Sequence, residues 1–174
     1  MIAVAIAYLV PYYYTSSAER CASCHSMKKY YDSWKKSPHV VAARTCTECH
    51  VKPGLMNLVV YRLQFWSELY AEFNGVELKP FGSMLPTATS CSKAGCHSLN
   101  RETSVTGDLK IDHRLHVTRA KLRCAECHPG AVHEGITGKP LPLRKLCTRC
   151  HNQQMGNCGF CHTKKFPVDV KFEH

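Results

Sequence analysis

Twelve cysteines stand in this chain of 174 residues, and every one belongs to a pair followed at once by histidine. The runs are Cys21-Cys24-His25, Cys46-Cys49-His50, Cys91-Cys96-His97, Cys124-Cys127-His128, Cys147-Cys150-His151 and Cys158-Cys161-His162. Five read C-x-x-C-H, and the third, CSKAGCH, has two more residues between its cysteines. C-x-x-C-H is the attachment signature of c-type haem. Two thioether bonds fix the porphyrin to the chain, and the adjacent imidazole reaches the iron from one side. Zinc sites and disulfide frameworks also use paired cysteines. Neither requires histidine directly after the second cysteine of each pair, and no cysteine is left over here. The longer third spacing also occurs in low-potential multihaem cytochromes. The expected cofactors are therefore six haem c groups.

A low-spin haem iron takes two axial ligands. Six of the 11 histidines lie in the motifs, which leaves His39, His113, His116, His133 and His174 as candidate second ligands. One haem then lacks a second histidine. The first motif continues Cys-His-Ser-Met, so Met27 stands close to that iron. A first haem held by Met27, or by His25 alone, would keep one open face, as a quinol site requires. His113 and His116, at i and i+3, share a helical neighbourhood in which one of them could be spare.

Six haems leave roughly 30 residues of chain for each, too few for a conventional side-chain core. The haems become the core, and the expected fold is mostly α with extensive irregular loops, wrapped around them. The apolar run of residues 2–10, followed by Pro11 and three tyrosines, suits an N-terminal membrane anchor segment, residues 1–19. It is shorter than the roughly 20 residues a spanning helix needs, so it reads as part of an anchor or of a signal peptide. The motif positions divide the remainder into a two-haem module with an amphipathic helix (20–87), a second two-haem module (88–135) and a C-terminal two-haem extension (136–174). Leu55, Val59, Leu63, Trp66, Tyr70 and Phe73 form one stripe at helical spacing. Such a stripe either packs on haems or lies on the bilayer surface. Residues 74–90 and the Gly/Pro-rich residues 135–146 read as linkers.

The formal charge of +10 points toward acidic partners until the propionates are counted. Six haems contribute about 12 carboxylates, which brings the holoprotein near neutrality. No basic run interleaved with aromatics supports nucleic-acid binding. Haem attachment to cysteine takes place outside the bacterial cytoplasm, so an exported, periplasmic haem domain follows.

The stretch CASCHSMKKYYDSWKKSPHVVAARTCTECHVKPG resembles the NapC/NirT family of membrane-anchored multihaem quinol dehydrogenases, which includes the small subunit of cytochrome c nitrite reductase. The shared pattern is C-x-x-C-H-x-M, then W-x-x-S-x-H, then a second C-x-x-C-H followed by Pro and Gly. IDHRLHVTRAKLRCAECHPGAVHEG is similar to the family's last haem segment, and the resemblance covers about residues 1–135. It implies that Met27 binds the first haem, that the opposite face is free, and that quinol, of the menaquinol type, docks there. A basic and an acidic residue from the helix after the second motif would serve it. Laid along this chain they become Arg62 and Glu68. Arginine keeps its proton too firmly to act as a base, so Glu68 would accept the proton and Arg62 would orient the quinol oxygen. The implied partners are membrane quinol, the membrane itself and a redox protein at the C-terminal haem pair, within a complex or homo-oligomer. Members of the common type carry four haems, and this chain adds the motifs at Cys147 and Cys158. The alternatives are an electron conduit with no quinone site and, less well matched, a reductase, which often replaces a motif histidine with lysine.

Overall fold

A computed structural model of the chain describes residues 15–76, 86–93 and 95–163. Residues 1–14 of the expected anchor (1–19), part of the first linker and His174 lie outside the described residues. The described architecture is helical segments joined by irregular chain, as the motif spacing predicts. In order they are α1 (Ala18–Cys21), α2 (His25–Lys36), α3 (Thr47–His50), α4 (Leu55–Phe73), α5 (Ala88–Cys91), α6 (His113–Thr118), α7 (Cys124–Cys127), α8 (Arg144–Cys147) and α9 (Cys158–Cys161). Two single turns of 3-10 helix, Pro38–Val40 and Asn152–Gln154, complete the set. Extended pairing among the described residues is confined to isolated bridges.

The two long helices have clear local causes. α4 starts after Pro53 and Gly54, where Gly54 takes φ 117°, a left-handed conformation that side chains disfavour. It ends at Asn74 with Gly75 at φ 65°. There Val76 N–H bonds back to Ala71 O at 2.9 Å and Gly75 N–H to Glu72 O at 3.4 Å. This is the Schellman arrangement, which satisfies carbonyls that the helix end would leave bare. α2 carries Lys35 and Lys36 in its last turn, where the helix dipole favours cations. Ser37 then caps the short turn holding His39, its Oγ accepting the His39 N–H at 3.3 Å, with Pro38 in the first helical position.

Burial separates this chain from an ordinary globular domain. Among the described residues the buried ones are Ser16, Ala18, Ala43, Ala71 and Gly130, and no large side chain is fully enclosed. The interior is not built of side chains packed on one another, because apolar residues of this number would otherwise bury at least one Leu, Ile or Phe completely. Most of the α4 stripe is open: Leu55 is 76% exposed, Trp66 65%, Tyr70 72% and Phe73 82%. No described helix is long and apolar enough to cross a membrane.

The last motif does not hang free from the rest. Leu109 bridges to His162, Lys110 N–H donates to Cys161 O at 2.8 Å, and Thr163 N–H donates to Asp108 O at 3.0 Å. The Lys110 ammonium adds a bond to Gly159 O at 2.8 Å. Beneath this junction Ser104 Oγ donates to the Asp108 carboxylate at 2.6 Å, and Thr106 Oγ1 donates to the same oxygen. These bonds hold Asp108 down at about 2, from an ordinary 3.8.

Candidate haem framework

Each motif is a short turn whose backbone decides where its imidazole goes. In five of the six, the histidine N–H bonds back onto the carbonyl of the first cysteine. The distances are 3.0 Å for His50 to Cys46, 3.0 Å for His97 to Cys91, and 2.9 Å each for His128 to Cys124, His151 to Cys147 and His162 to Cys158. The longer third motif reaches the same closure, with Gly95 at φ 82° accommodating the extra turn.

The first motif is built differently. Cys24 N–H bonds to Cys21 O at 3.4 Å, and Cys24 itself caps the start of α2. Met27 and Lys28 N–H groups both return to Cys24 O, at 3.1 and 3.2 Å. His25 thus opens a helix, whereas the other motif histidines close a turn. Met27, two residues on, sits in the first turn of α2 and is 39% exposed.

Four imidazole pairs organise the remainder. Ring centroids lie 6.0 Å apart for His39 and His97, 6.3 Å for His50 and His133, 6.4 Å for His113 and His128, and 6.0 Å for His116 and His151. Two imidazoles bonded to one metal ion from opposite sides, with nitrogen–metal bonds of roughly 2 Å, place their centroids roughly 6 Å apart. In each pair one ring belongs to a motif and the other to a loop or to α6. Sequence reasoning named all eight residues and could not pair them.

The outer ring nitrogens support the same reading. His113 Nδ1 lies 2.8 Å from Arg101 O, His116 Nδ1 2.6 Å from Asp112 O, and His128 Nδ1 2.8 Å from Pro140 O. His133 Nδ1 lies 2.9 Å from Ser33 Oγ, whose own proton goes to Tyr30 O at 2.9 Å. A carbonyl can only accept, so each of these nitrogens carries the proton and the opposite nitrogen, Nε2, presents a lone pair. Ligating histidines are fixed in this way. Burial and the neighbouring ring keep His39 and His133 below the ordinary histidine value, which favours the neutral, metal-binding form. His39 Nδ1 is buried with no hydrogen-bond partner among the described residues. The residues present therefore fit haem.

The cysteines follow one another in space as they do in sequence. Hydrogen bonding to Cys46 pushes the Cys21 thiol up, and burial with nearby Cys124 pushes Cys91 up to about 11. Burial and adjacent Cys147 raise Cys127, and burial and adjacent Cys161 raise Cys147. Cys96 contributes in the same sense at Cys49. Consecutive attachment sites are neighbours along the whole described chain.

α4 lies against the first two motifs. Arg62 donates to Thr15 Oγ1 at 2.6 Å and to Ser16 Oγ at 3.1 Å. Its guanidinium stands 5.6 Å from the Tyr61 ring centre and 5.9 Å from that of Phe65. Burial pushes Tyr61 up to about 12, reinforced by Cys21 close by. Glu68 is half-buried, and burial raises its carboxyl. It faces the Cys24 side, where it adds to the burial that raises that thiol. Arg62 thus addresses the entry to the first motif, and Glu68 its second cysteine. Roughly 9 Å of helix rise separates the two. A residue the sequence reading overlooked makes the direct contact: Glu72 accepts Ser26 Oγ at 2.6 Å and Ser26 N–H at 3.4 Å. Glu72 is one helical turn beyond Glu68, so the shared face was the available signal.

The comparisons agree with the haem reading. The N-terminal region of the NapC/NirT cytochrome c family matches residues 1–79. The chain is similar to cytochrome c-type protein TorC of Escherichia coli (strain K12), with 33% identity over 139 residues, 69% of this chain and 36% of that protein. It is also similar to cytochrome c-type protein TorY of Haemophilus influenzae, with 26% identity over 143 residues, 68% of this chain and 37% of that protein. The chain thus spans little more than a third of the curated relatives it matches. No solved structure matches it significantly.

Proposed function

The chain belongs to the NapC/NirT cytochrome c family, a family of electron-transfer proteins with covalently bound haem c, and we propose that it is a six-haem quinol dehydrogenase subunit. The haems, when bound, supply one-electron redox chemistry, carrying electrons from membrane quinol to an extracytoplasmic redox protein at the C-terminal haem pair. The observation that carries the quinol reading is the first motif. It alone among the six departs from the closed turn, and Met27 stands where a second motif ligand would.

The residues divide the work. The six cysteine pairs attach the cofactors. His50, His97, His128, His151 and His162 provide motif ligands; His133 and His39 serve the first two of these in turn, with His113 and His116 as further ligands. His174 completes the last site. Met27 or His25 holds the first. Glu68, whose carboxyl partial burial raises, is the group to take a quinol proton. Arg62 orients the quinol oxygen, and the exposed stripe of α4 rests on the membrane surface beside the N-terminal anchor, with the haem domain in the periplasm.

One observation favours the electron conduit instead. Arg62 donates to Thr15 Oγ1 and Ser16 Oγ, a structural tie. The same experiment separates the two. The detergent-solubilised holoprotein is mixed anaerobically with a menaquinol analogue while the reduced haem band is followed, beside Glu68→Gln and Met27→Ala variants. Fast reduction that slows in both variants is expected. No reduction by quinol, with prompt reduction by dithionite, leaves the conduit.

A further inference from the structure

We infer that α6 is a shared ligand bridge: His113 serves the haem attached at Cys124–Cys127, and His116 serves the next haem, attached at Cys147–Cys150. The inference rests on the motif sites being haem sites and not on the quinol site. The two histidines lie on a helix of six residues, three positions apart. At 100° per residue their side chains diverge by roughly 60° and are displaced by roughly 4.5 Å along the axis. That is enough for two rings to leave the same helix toward different partners.

The geometry shows that they do. The His113 ring faces His128 at 6.4 Å with planes only 14° apart. The His116 ring faces His151 at 6.0 Å with planes 63° apart. The anchors of the two rings also differ. His113 is tied to Arg101 O, outside the helix, and His116 to Asp112 O, in the capping residue of its own helix. Asp112 Oδ1 meanwhile accepts Leu115 N–H at 2.8 Å and fixes the start of α6. One aspartate thus sets the helix by its side chain and aims His116 by its carbonyl.

A second set of contacts points the same way. The segment entering α6 is the one on which the last motif docks, through Lys110 N–H to Cys161 O and the bridge of Leu109 to His162. The C-terminal pair of haems is therefore an integral continuation of the preceding four. A pair joined only through residues 135–146 would not share a ligand helix with them.

The test uses the full-length holoprotein with His113→Met, His116→Met and the double substitution. Haem content is first measured by the pyridine haemochrome. Histidine–methionine haems are then counted from their near-infrared magnetic circular dichroism band, each sample read against the unsubstituted protein. One additional such haem is expected in each single variant and two in the double. Crossed imidazole planes give a strongly anisotropic ferric spin signal and near-parallel planes a rhombic one. His116→Met should remove the former and His113→Met the latter. One added haem in the double variant, or none in His116→Met, overturns the proposal. Should the methionine variants come out short of haem, His113→Lys and His116→Lys are counted by their own band under the same criteria.

Discussion

The first motif and the stretch from His113 to His151 are two solutions to holding a haem. In the later stretch every imidazole is fixed twice, by a closed backbone turn or helix position and by a ring facing it. His113, His116 and His128 each give the outer nitrogen to a main-chain carbonyl. Around Cys21 and Cys24 the turn is open, and the nearby groups are Met27 and two carboxylates of α4, Glu68 and Glu72. Rigid, symmetric ligation suits sites that only relay electrons, since little reorganises when charge changes. An open turn flanked by acids suits a site that must also admit a molecule and dispose of protons. The difference shows that one short signature specifies attachment, while the residues around it specify use.

The strongest way to break this contrast is to disorder the rigid side. A Cβ on Gly130 would stand 2.1 Å from Gly138 O, and the backbone of Gly138 and Lys139 leaves no room. The loop it packs positions His133 and, through Pro140, His128. Gly130→Ala is expected to convert two haems to high spin and to lower the melting temperature by several degrees, as calorimetry and absorption spectra would report. Unchanged spectra would mean that the loop does not hold these ligands.

Next in size is His133→Ala. It removes one ring of the pair with His50 and should add one high-spin haem to those of the unsubstituted protein, counted by electron paramagnetic resonance. Met27→Ala should alter a different haem and slow quinol reduction by at least an order of magnitude, an effect His133→Ala need not share at the entry step. Equal effects of the two on quinol reduction would erase the distinction between the sites.

The junction beneath the last motif should be acid-sensitive. Asp108 is held at about 2 against an ordinary 3.8. A depressed carboxylate stabilises the fold above its unfolded value and loses that contribution as pH falls toward the folded one. The docking of Cys158–His162 should therefore loosen between about 3.8 and 2, and Asp108→Asn should abolish the step in a hydrogen-exchange profile of residues 158–163. Glu68 behaves oppositely. Burial raises it, so its protonated form favours the fold, and stability falls as pH rises past the ordinary carboxylate range. Glu68→Gln should flatten that loss. The smallest effect is expected from Ser33→Ala, which removes the acceptor for His133 Nδ1 at 2.9 Å. About 1 kcal/mol of stability is at stake, together with a modest rise in one haem potential, since the ligand becomes less basic. Spectroelectrochemistry would show it.

Much of the site could be read in advance, because attachment is written in contiguous residues. The six motifs, the α4 stripe bounded by Leu55 and Phe73, and the singular position of Met27 are local patterns. The pairing of rings is not. His39 lies between the first two motifs yet faces His97, and His133 follows the fourth motif yet faces His50. Nothing in the spacing encodes that exchange, which is decided by how distant loops fold over one another. The i, i+3 relation of His113 and His116 could mean a spare residue or two employed ones, and only the directions of the rings distinguish these. Glu72 was passed over because its partner, Ser26, is remote in sequence.

The Ser33 hydroxyl holds a ring 100 residues further along the chain. That span sets a timetable. A polypeptide emerges from its N-terminus, so His50 becomes available long before His133 exists. The second site cannot close until the loop after the fourth motif has been made and has folded back. Closure there records that the chain has been completed at least to His133, and a truncated product would betray itself by a single unfinished site near its beginning.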